Sequence, residues 1–374
     1  MRDVLAERLL AEVMKWTPED ISRERPDLEE LATFKYDEYQ QFSPGMRFIE
    51  SLLLWLDQFK LDYERKQAYE FIRSRLIFIS NAEMAHLVAI AFPDFIRPIL
   101  ISQTAARLGL PERFVKKIVN SIEFKVLLRQ SLFLGLSDGA HIDRFRRNNP
   151  EISNEQVWQT YEISEEKAGD MISKLSSDLE RLLNRNPTED EKRFRLLFLL
   201  DDFSGSGISY LRKETNGSKY AGKIHKVLSN VTINSPLNSL VDSKDLHIYI
   251  VFYVATKHAL SQIEKHVSDW LKENGSENKC SVLAVQTIID SIRLHPDKDT
   301  QIIELLKKYF DSSIIDEDYR KGKYDEPYLG FDQCALPLVL SHNTPNNSVP
   351  LLWFGEDRKY RGLFPRVGRR RGWP

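Results

Sequence analysis

The sequence predicts an α/β fold, a doubly wound, mainly parallel five-stranded sheet preceded by an all-helical N-terminal domain. Three observations predict it. From Leu132 onward, short and nearly uninterrupted apolar runs recur, as strands covered on both faces require. Segments of helical period separate those runs, the alternation that βαβ crossovers produce. Before residue 126 the helical period holds throughout, broken by proline and glycine.

Residues 1–125 are expected to form the helical domain, carried by "FIESLLLWLDQF" (48–59) and "RKQAYEFIRSRLIFISNAEMAHLVAIAF" (65–92), with Pro93, Pro98, Gly109 and Pro111 as breaks. Within it, "QTAARLGLPERFVKKIVNS" (103–121) has the spacing of a helix-turn-helix, and equally that of a plain helix pair with Gly109 as C-cap. Residues 126–374 are expected to form the α/β domain. Its strands are "LFLGL" (132–136), "LLFLL" (196–200), "IYIVFYVA" (248–255), "SVLAVQTI" (281–288) and "LPLVL" (336–340). Ligands of such sheets bind beyond the strands' carboxyl ends. That rule puts Ser137–Ala140, Asp201–Ser209, Thr256-Lys257 and "SHNTPNNS" (341–348) on one rim.

The chain has 374 residues, with 53 Lys+Arg against 55 Asp+Glu, so its net charge of −2 exerts no global pull on nucleic acid or an anionic membrane. Cys280 and Cys334 are the two cysteines, neither at disulfide-framework nor zinc spacing, and no metal-ligand set is expected. Charges interrupt every long apolar stretch, which leads to the expectation of an unprocessed cytoplasmic protein with no membrane contact.

The chemistry concentrates in "LLFLLDDFSGSGIS" (196–209). Small residues after a buried strand expose backbone N–H groups that suit a phosphate. Carboxylates do not suit a bare phosphate; they suit a ligand that also carries hydroxyls, because an ionised carboxylate accepts strongly from a diol. A ribose 5-phosphate meets both demands. A Walker loop is excluded because no lysine lies in Ser204–Ser209, and a dinucleotide fingerprint because Tyr210 stands where its third glycine belongs. "DDFSGSG" also looks like the S-adenosylmethionine loop of methyltransferases, although "IYIVFYVATKH" lacks the acid such enzymes place on the next strand.

The same stretch resembles the phosphoribosyl-pyrophosphate motif of type I phosphoribosyltransferases, with serines where threonines are common. The resemblance implies that Asp201 and Asp202 accept hydrogen bonds from the ribose 2′ and 3′ hydroxyls and stabilise oxocarbenium character. It also implies that Ser204, Gly205, Ser206, Gly207, Ile208 and Ser209 hold the 5′-phosphate. By the same resemblance Ser137, Asp138, Gly139 and Ala140 occupy the pyrophosphate loop, where Asp138 departs from the pattern unless Mg²⁺ bridges it. His342, Asn343, Asn346 and Asn347 are amide and imidazole groups able to read a base edge, and are equally ordinary turn residues. From Arg358 the sequence holds seven Lys/Arg and no acid, interleaved with Tyr360, Phe364 and Trp373, a candidate nucleic-acid or acidic-partner contact.

"FIRSRLIFISNAEMAHLV" (71–88), the acid–serine loop and "LSHNTPNNSVPLLW" (340–353) together resemble the phosphoribosyltransferase-like family of bacterial conflict systems, including members encoded with retrons in anti-phage loci. The resemblance implies an effector that takes phosphoribosyl pyrophosphate or a nucleotide, uses Mg²⁺ where pyrophosphate is involved, and is restrained by a defence-system protein or nucleic acid. Two other readings remain open: a non-catalytic nucleotide sensor with a nucleic-acid-binding helical domain, and a methyltransferase.

Overall fold

A computed structural model describes residues 2–214, 219–233, 235–242 and 245–366. The chain divides into two compact units, Ala85–Ile288 and Met1–Met84 with Ile289–Pro374.

The first unit holds a five-stranded parallel sheet of β1 (Ser131–Gly135), β2 (Val157–Trp158), β3 (Leu196–Ser204), β4 (His247–Thr256) and β5 (Lys279–Ile288), in spatial order β2-β1-β3-β4-β5. Side chains alternate between faces along each strand. On one face Leu197, Leu199, Ile248 and Ile250 pack against Met171 and Leu175 of one helix (Glu165–Leu183), Val227 of another (Lys223–Thr232) and Ile263 of a third (Lys257–Glu273). On the other face the register aligns Phe133, Phe198 and Tyr249, whose rings stack at 5.0 Å between neighbours. Phe145, from the helix Ile142–Asn148, and Phe92 meet the same row. The helices Ile142–Asn148, Glu165–Leu183, Lys223–Thr232 and Lys257–Glu273 are α1, α2, α3 and α4 below.

A polar chain continues the aromatic row. Gln103 Nε2 donates to Tyr249 Oη at 2.8 Å, Tyr249 Oη lies 3.0 Å from His247 Nδ1, and His247 Nε2 lies 3.0 Å from Ser281 Oγ. With Gln103 donating, the tyrosine proton goes to Nδ1 and the neutral imidazole carries its own proton on Nε2. Burial holds His247 down at about 4.

The second unit is made from both chain ends. Helices Pro18–Phe34, Phe48–Asp57 and Asp62–Arg75 surround the strand Ile77–Ile79, which pairs in parallel with Leu338–Leu340. Phe364 stacks on Phe48 at 5.7 Å and meets Tyr36 and Phe78 edge-on or tilted. Tyr39 Oη lies 2.9 Å from Thr344 Oγ1, and Trp55 Nε1 donates to the Leu351 carbonyl at 2.8 Å. Burial pushes the Tyr39 phenol up to about 12.

Two sequence expectations change here. The run "LPLVL" does not join the main sheet; its place is taken by Val157–Trp158, whose two residues are too few to show a period. The boundary at residue 125 also fails. Helical residues 85–125 belong with the sheet, because Phe92 and Gln103 cover its aromatic face, and the unit completed by residues 289–374 begins at the N-terminus. Among the described residues one helical run, Asn81–Leu108, has the length and hydropathy to cross a membrane; within it Phe92, Ile96 and Leu100 are buried.

A fragment spanning 85–288 is therefore expected to melt cooperatively by circular dichroism, and 126–374 to show no cooperative transition. Because folded His247 titrates below its unfolded value, the unfolded state binds more protons between pH 6.5 and about 4, so stability falls as pH falls through that window. His247→Gln is expected to lose less stability than wild type between pH 7 and pH 5 in urea titrations.

Candidate functional site

Strand order reverses at β1: the chain goes outward to β2, then returns to β3 on the opposite side, so a crevice opens at the carboxyl ends of β1 and β3. Both candidate loops leave the sheet there. Gly135 is in register with Leu200, and the Leu136 N–H donates to the Leu200 carbonyl at 2.9 Å, which brings Ser137 beside Asp201.

Asp201 is fully buried. Its Oδ1 accepts from Ser137 Oγ and, at 3.1 Å, from the Asp202 N–H; its Oδ2 accepts from Tyr210 Oη and Lys223 Nζ, each at 2.8 Å. Those four donors fill the lone-pair sites of a carboxylate. Burial, then the neighbouring Asp202 charge, push the Asp201 carboxyl above the ordinary carboxylate range, against the pull of Lys223 and Ser137. Tyr210 Oη also lies 2.7 Å from the Phe203 carbonyl, so its single proton faces two oxygens.

Asp202 points to the opposite face, as strand alternation demands, and is half-buried. Its Oδ1 accepts from the Phe203 N–H at 2.8 Å. The Ser137–Ala140 loop lies over it: a Cβ built on Gly139 would sit 2.6 Å from Asp202 Oδ2, so only glycine allows this approach. Tyr253 Oη donates to the Ala140 carbonyl at 2.8 Å and fastens the end of that loop. Burial and the two nearby carboxylates push the Tyr253 phenol up.

The cradle follows. Ser204, Gly205, Ser206 and Gly207 are buried, Ile208 is half-buried and Ser209 is exposed. Thr256, at the end of β4, donates from Oγ1 to the Gly205 carbonyl at 2.6 Å and accepts the Ala259 N–H at 3.0 Å, so one hydroxyl caps α4 and anchors the cradle. Gly207 has φ +82°, and a Cβ there would lie 3.1 Å from the Ala259 carbonyl. Ser204 Oγ is buried and has no hydrogen-bond partner among the described residues. The loop does not run straight into a helix. A turn at 208–210 and a small hairpin, Arg212–Lys213 with Tyr220–Ala221, come first, and α3 begins only at Lys223.

Sequence reasoning missed Tyr210 and Lys223. The hairpin hid the lysine's proximity, and its place in "GSKYAGKI" suggests only a chance Walker-like spacing. His342, Asn343, Asn346 and Asn347 belong to the unit built from the chain ends: the His342 carbonyl accepts from Gln41, the Asn346 carbonyl from Phe331, and Asn347 Nδ2 donates to the Phe331 carbonyl. Arg358 donates to Ser313 Oγ and Arg361 pairs with Glu356, while Trp373 lies outside the described residues. Arg146 and Arg147 pair with Asp143 on α1.

Gly139→Ala is expected to displace the Asp202 side chain, visible as a changed carboxylate position in a crystal structure, with a melting temperature close to wild type by circular dichroism.

The sequence model of the PRTase-CE family matches residues 52–366, a span that includes β1 to β5 and the whole crevice. No curated protein and no solved structure matches the chain. The match covers most of the chain, and its site elements fall where the strand order reverses; the chain belongs to the PRTase-CE family and is phosphoribosyltransferase-like.

Proposed function

We propose that the crevice between β1 and β3 binds the ribose 5-phosphate moiety of phosphoribosyl pyrophosphate or of a nucleotide, with reaction at C1′. One observation carries this reading: the Ser137–Ala140 loop, the acids and the serine–glycine cradle converge at the switch point of a parallel sheet. Asp202 accepts the ribose hydroxyls, the Ser204–Ser209 loop holds the 5′-phosphate, and the backbone of Ser137–Ala140 meets the leaving group. Asp201, its acceptor sites filled, positions both loops. In transfer, the C1′–O bond to pyrophosphate breaks, its electron pair leaves with pyrophosphate, and a C1′ bond to the acceptor forms. In N-glycosidic cleavage, the C1′–N bond breaks, water supplies the new C1′–O bond, and its proton goes to the departing base. Either path builds positive charge on the sugar, which the Asp202 carboxylate stabilises.

Mg²⁺ fits this rim. Asp138 and Asp202 offer oxygen donors, and no cluster of three or more His, Cys, Asp or Glu exists among the described residues. An ion held by one or two carboxylates, waters and the ligand's phosphates is the usual Mg²⁺ arrangement, and it would neutralise pyrophosphate. Methyl transfer lacks its carboxylate at the end of β4, where Thr256 stands. The resemblance to conflict-system proteins supports an effector role in bacterial anti-phage defence, restrained by a protein or nucleic-acid partner. The free thiols of Cys280 and Cys334 suit a reducing cytoplasm.

A second reading, a nucleotide sensor without turnover, is favoured by Asp201 alone, since a single remaining acid suits binding as well as catalysis. Incubation with phosphoribosyl pyrophosphate, nucleotides or NAD plus Mg²⁺, followed by product analysis, separates the two: ligand binding without product leaves the sensor. For the enzyme, Asp202→Asn is expected to lower turnover about 100-fold or more at near-wild-type stability. Asp201→Asn is expected to lower stability by about 2 kcal/mol in urea titration, because it strips the Lys223 ammonium of its buried partner.

A further inference from the structure

We propose that the open cavity lined by Arg113, Phe114, Lys116, Lys117, Asn120 and Ser121 binds single-stranded nucleic acid. Charge is the first argument. Residues 105–125 carry Arg107, Arg113, Lys116, Lys117 and Lys125 against Glu112 and Glu123, in a chain whose net charge is −2. Some exposed cations elsewhere are neutralised, such as Arg146 and Arg147 by Asp143, Lys174 by Glu155 and Arg185 by Glu191. Among the described residues Arg113, Lys116, Lys117 and Lys125 form no ion pair, and Glu112 accepts instead from Ser102 Oγ at 2.6 Å. Unpaired cations on one surface bind a polyanion with release of its counterions.

An aromatic ring within that charge is the second argument. Phe114 is 47% exposed, and the Arg113 guanidinium lies 5.4 Å from its ring centroid. A flat apolar ring flanked by cations is the platform on which an unpaired base stacks. The cavity, about 720 Å³, is open to solvent.

Local geometry selects a single strand over a duplex. The helix-turn-helix spacing does produce a turn, with Gly109 left-handed at φ 63°, but the following helix, Val115–Val119, has only five residues. At about 1.5 Å per residue it is too short to lie along a major groove as a recognition helix. A short helix beside an open basic cavity follows the backbone of a flexible strand.

The test is fluorescence anisotropy of the full chain with labelled 20-nucleotide single-stranded RNA, the DNA equivalent, a 20-base-pair DNA duplex and polyglutamate, over a salt series. Single strands are expected to bind more tightly than duplex, with an affinity that falls with salt. Lys116→Ala/Lys117→Ala is expected to flatten the log–log salt slope by about 0.7 for each phosphate that the variant leaves without its cation. Phe114→Ala should weaken binding about tenfold without changing that slope, with both variants melting as wild type. The RNA and DNA arms identify which strand is preferred. No binding of either strand at low salt, binding indifferent to these variants, or duplex or polyglutamate binding as tight as single strand would each overturn the proposal.

Discussion

The site depends on one buried carboxylate. Taking Asp201 out of water costs several kcal/mol, a penalty that only full hydrogen bonding offsets. Its four donors come from separate stretches of chain: Ser137 from the loop after β1, the Asp202 N–H from β3 itself, Tyr210 from the turn beyond the cradle, and Lys223 from the start of α3. Losing any one leaves a buried acceptor or donor unsatisfied, so the loops are held as a set rather than singly. The raised carboxyl has a structural counterpart in Tyr210, whose single proton faces two oxygens.

This arrangement divides labour between two adjacent acids. In a strand, neighbours cannot share a face, so a tandem pair at a strand end places one carboxylate among the helices and the other on the opposite side. Here the inward acid is enclosed by its four donors and the outward one lies under the Gly139 loop. The two carboxylates of the motif therefore have different surroundings, one fully buried and the other half-buried.

Legibility in the sequence followed the range of the interactions. β1, β3, β4 and β5 were readable because buried parallel strands are continuous apolar runs, and the serine–glycine stretch after β3 was readable as a loop because small residues end such a run. β2 was not, since two residues carry no period. Tyr210 and Lys223 were not, because a hairpin separates the lysine from the acid it meets, and no local spacing encodes that closure. "LPLVL" looked like a strand and is one, but apolarity does not specify a partner: Leu338–Leu340 pairs with Ile77–Ile79, some 260 positions earlier in the chain.

That long-range pairing bears on what the family match describes. The match begins at residue 52, within the helix Phe48–Asp57, and ends at residue 366. It thus takes in Trp55 and its acceptor Leu351, the strand pair, and Thr344, as well as the sheet. Had the family been a nucleotide-binding sheet with a variable helical attachment, the match would follow residues 85–288. Instead the span takes in residues 52–84 and 289–366 of the second unit along with the sheet, so Phe78 and Phe364 of its aromatic core lie inside the match and Phe48 outside it. The match therefore covers all of one unit and most of the other, rather than the sheet alone.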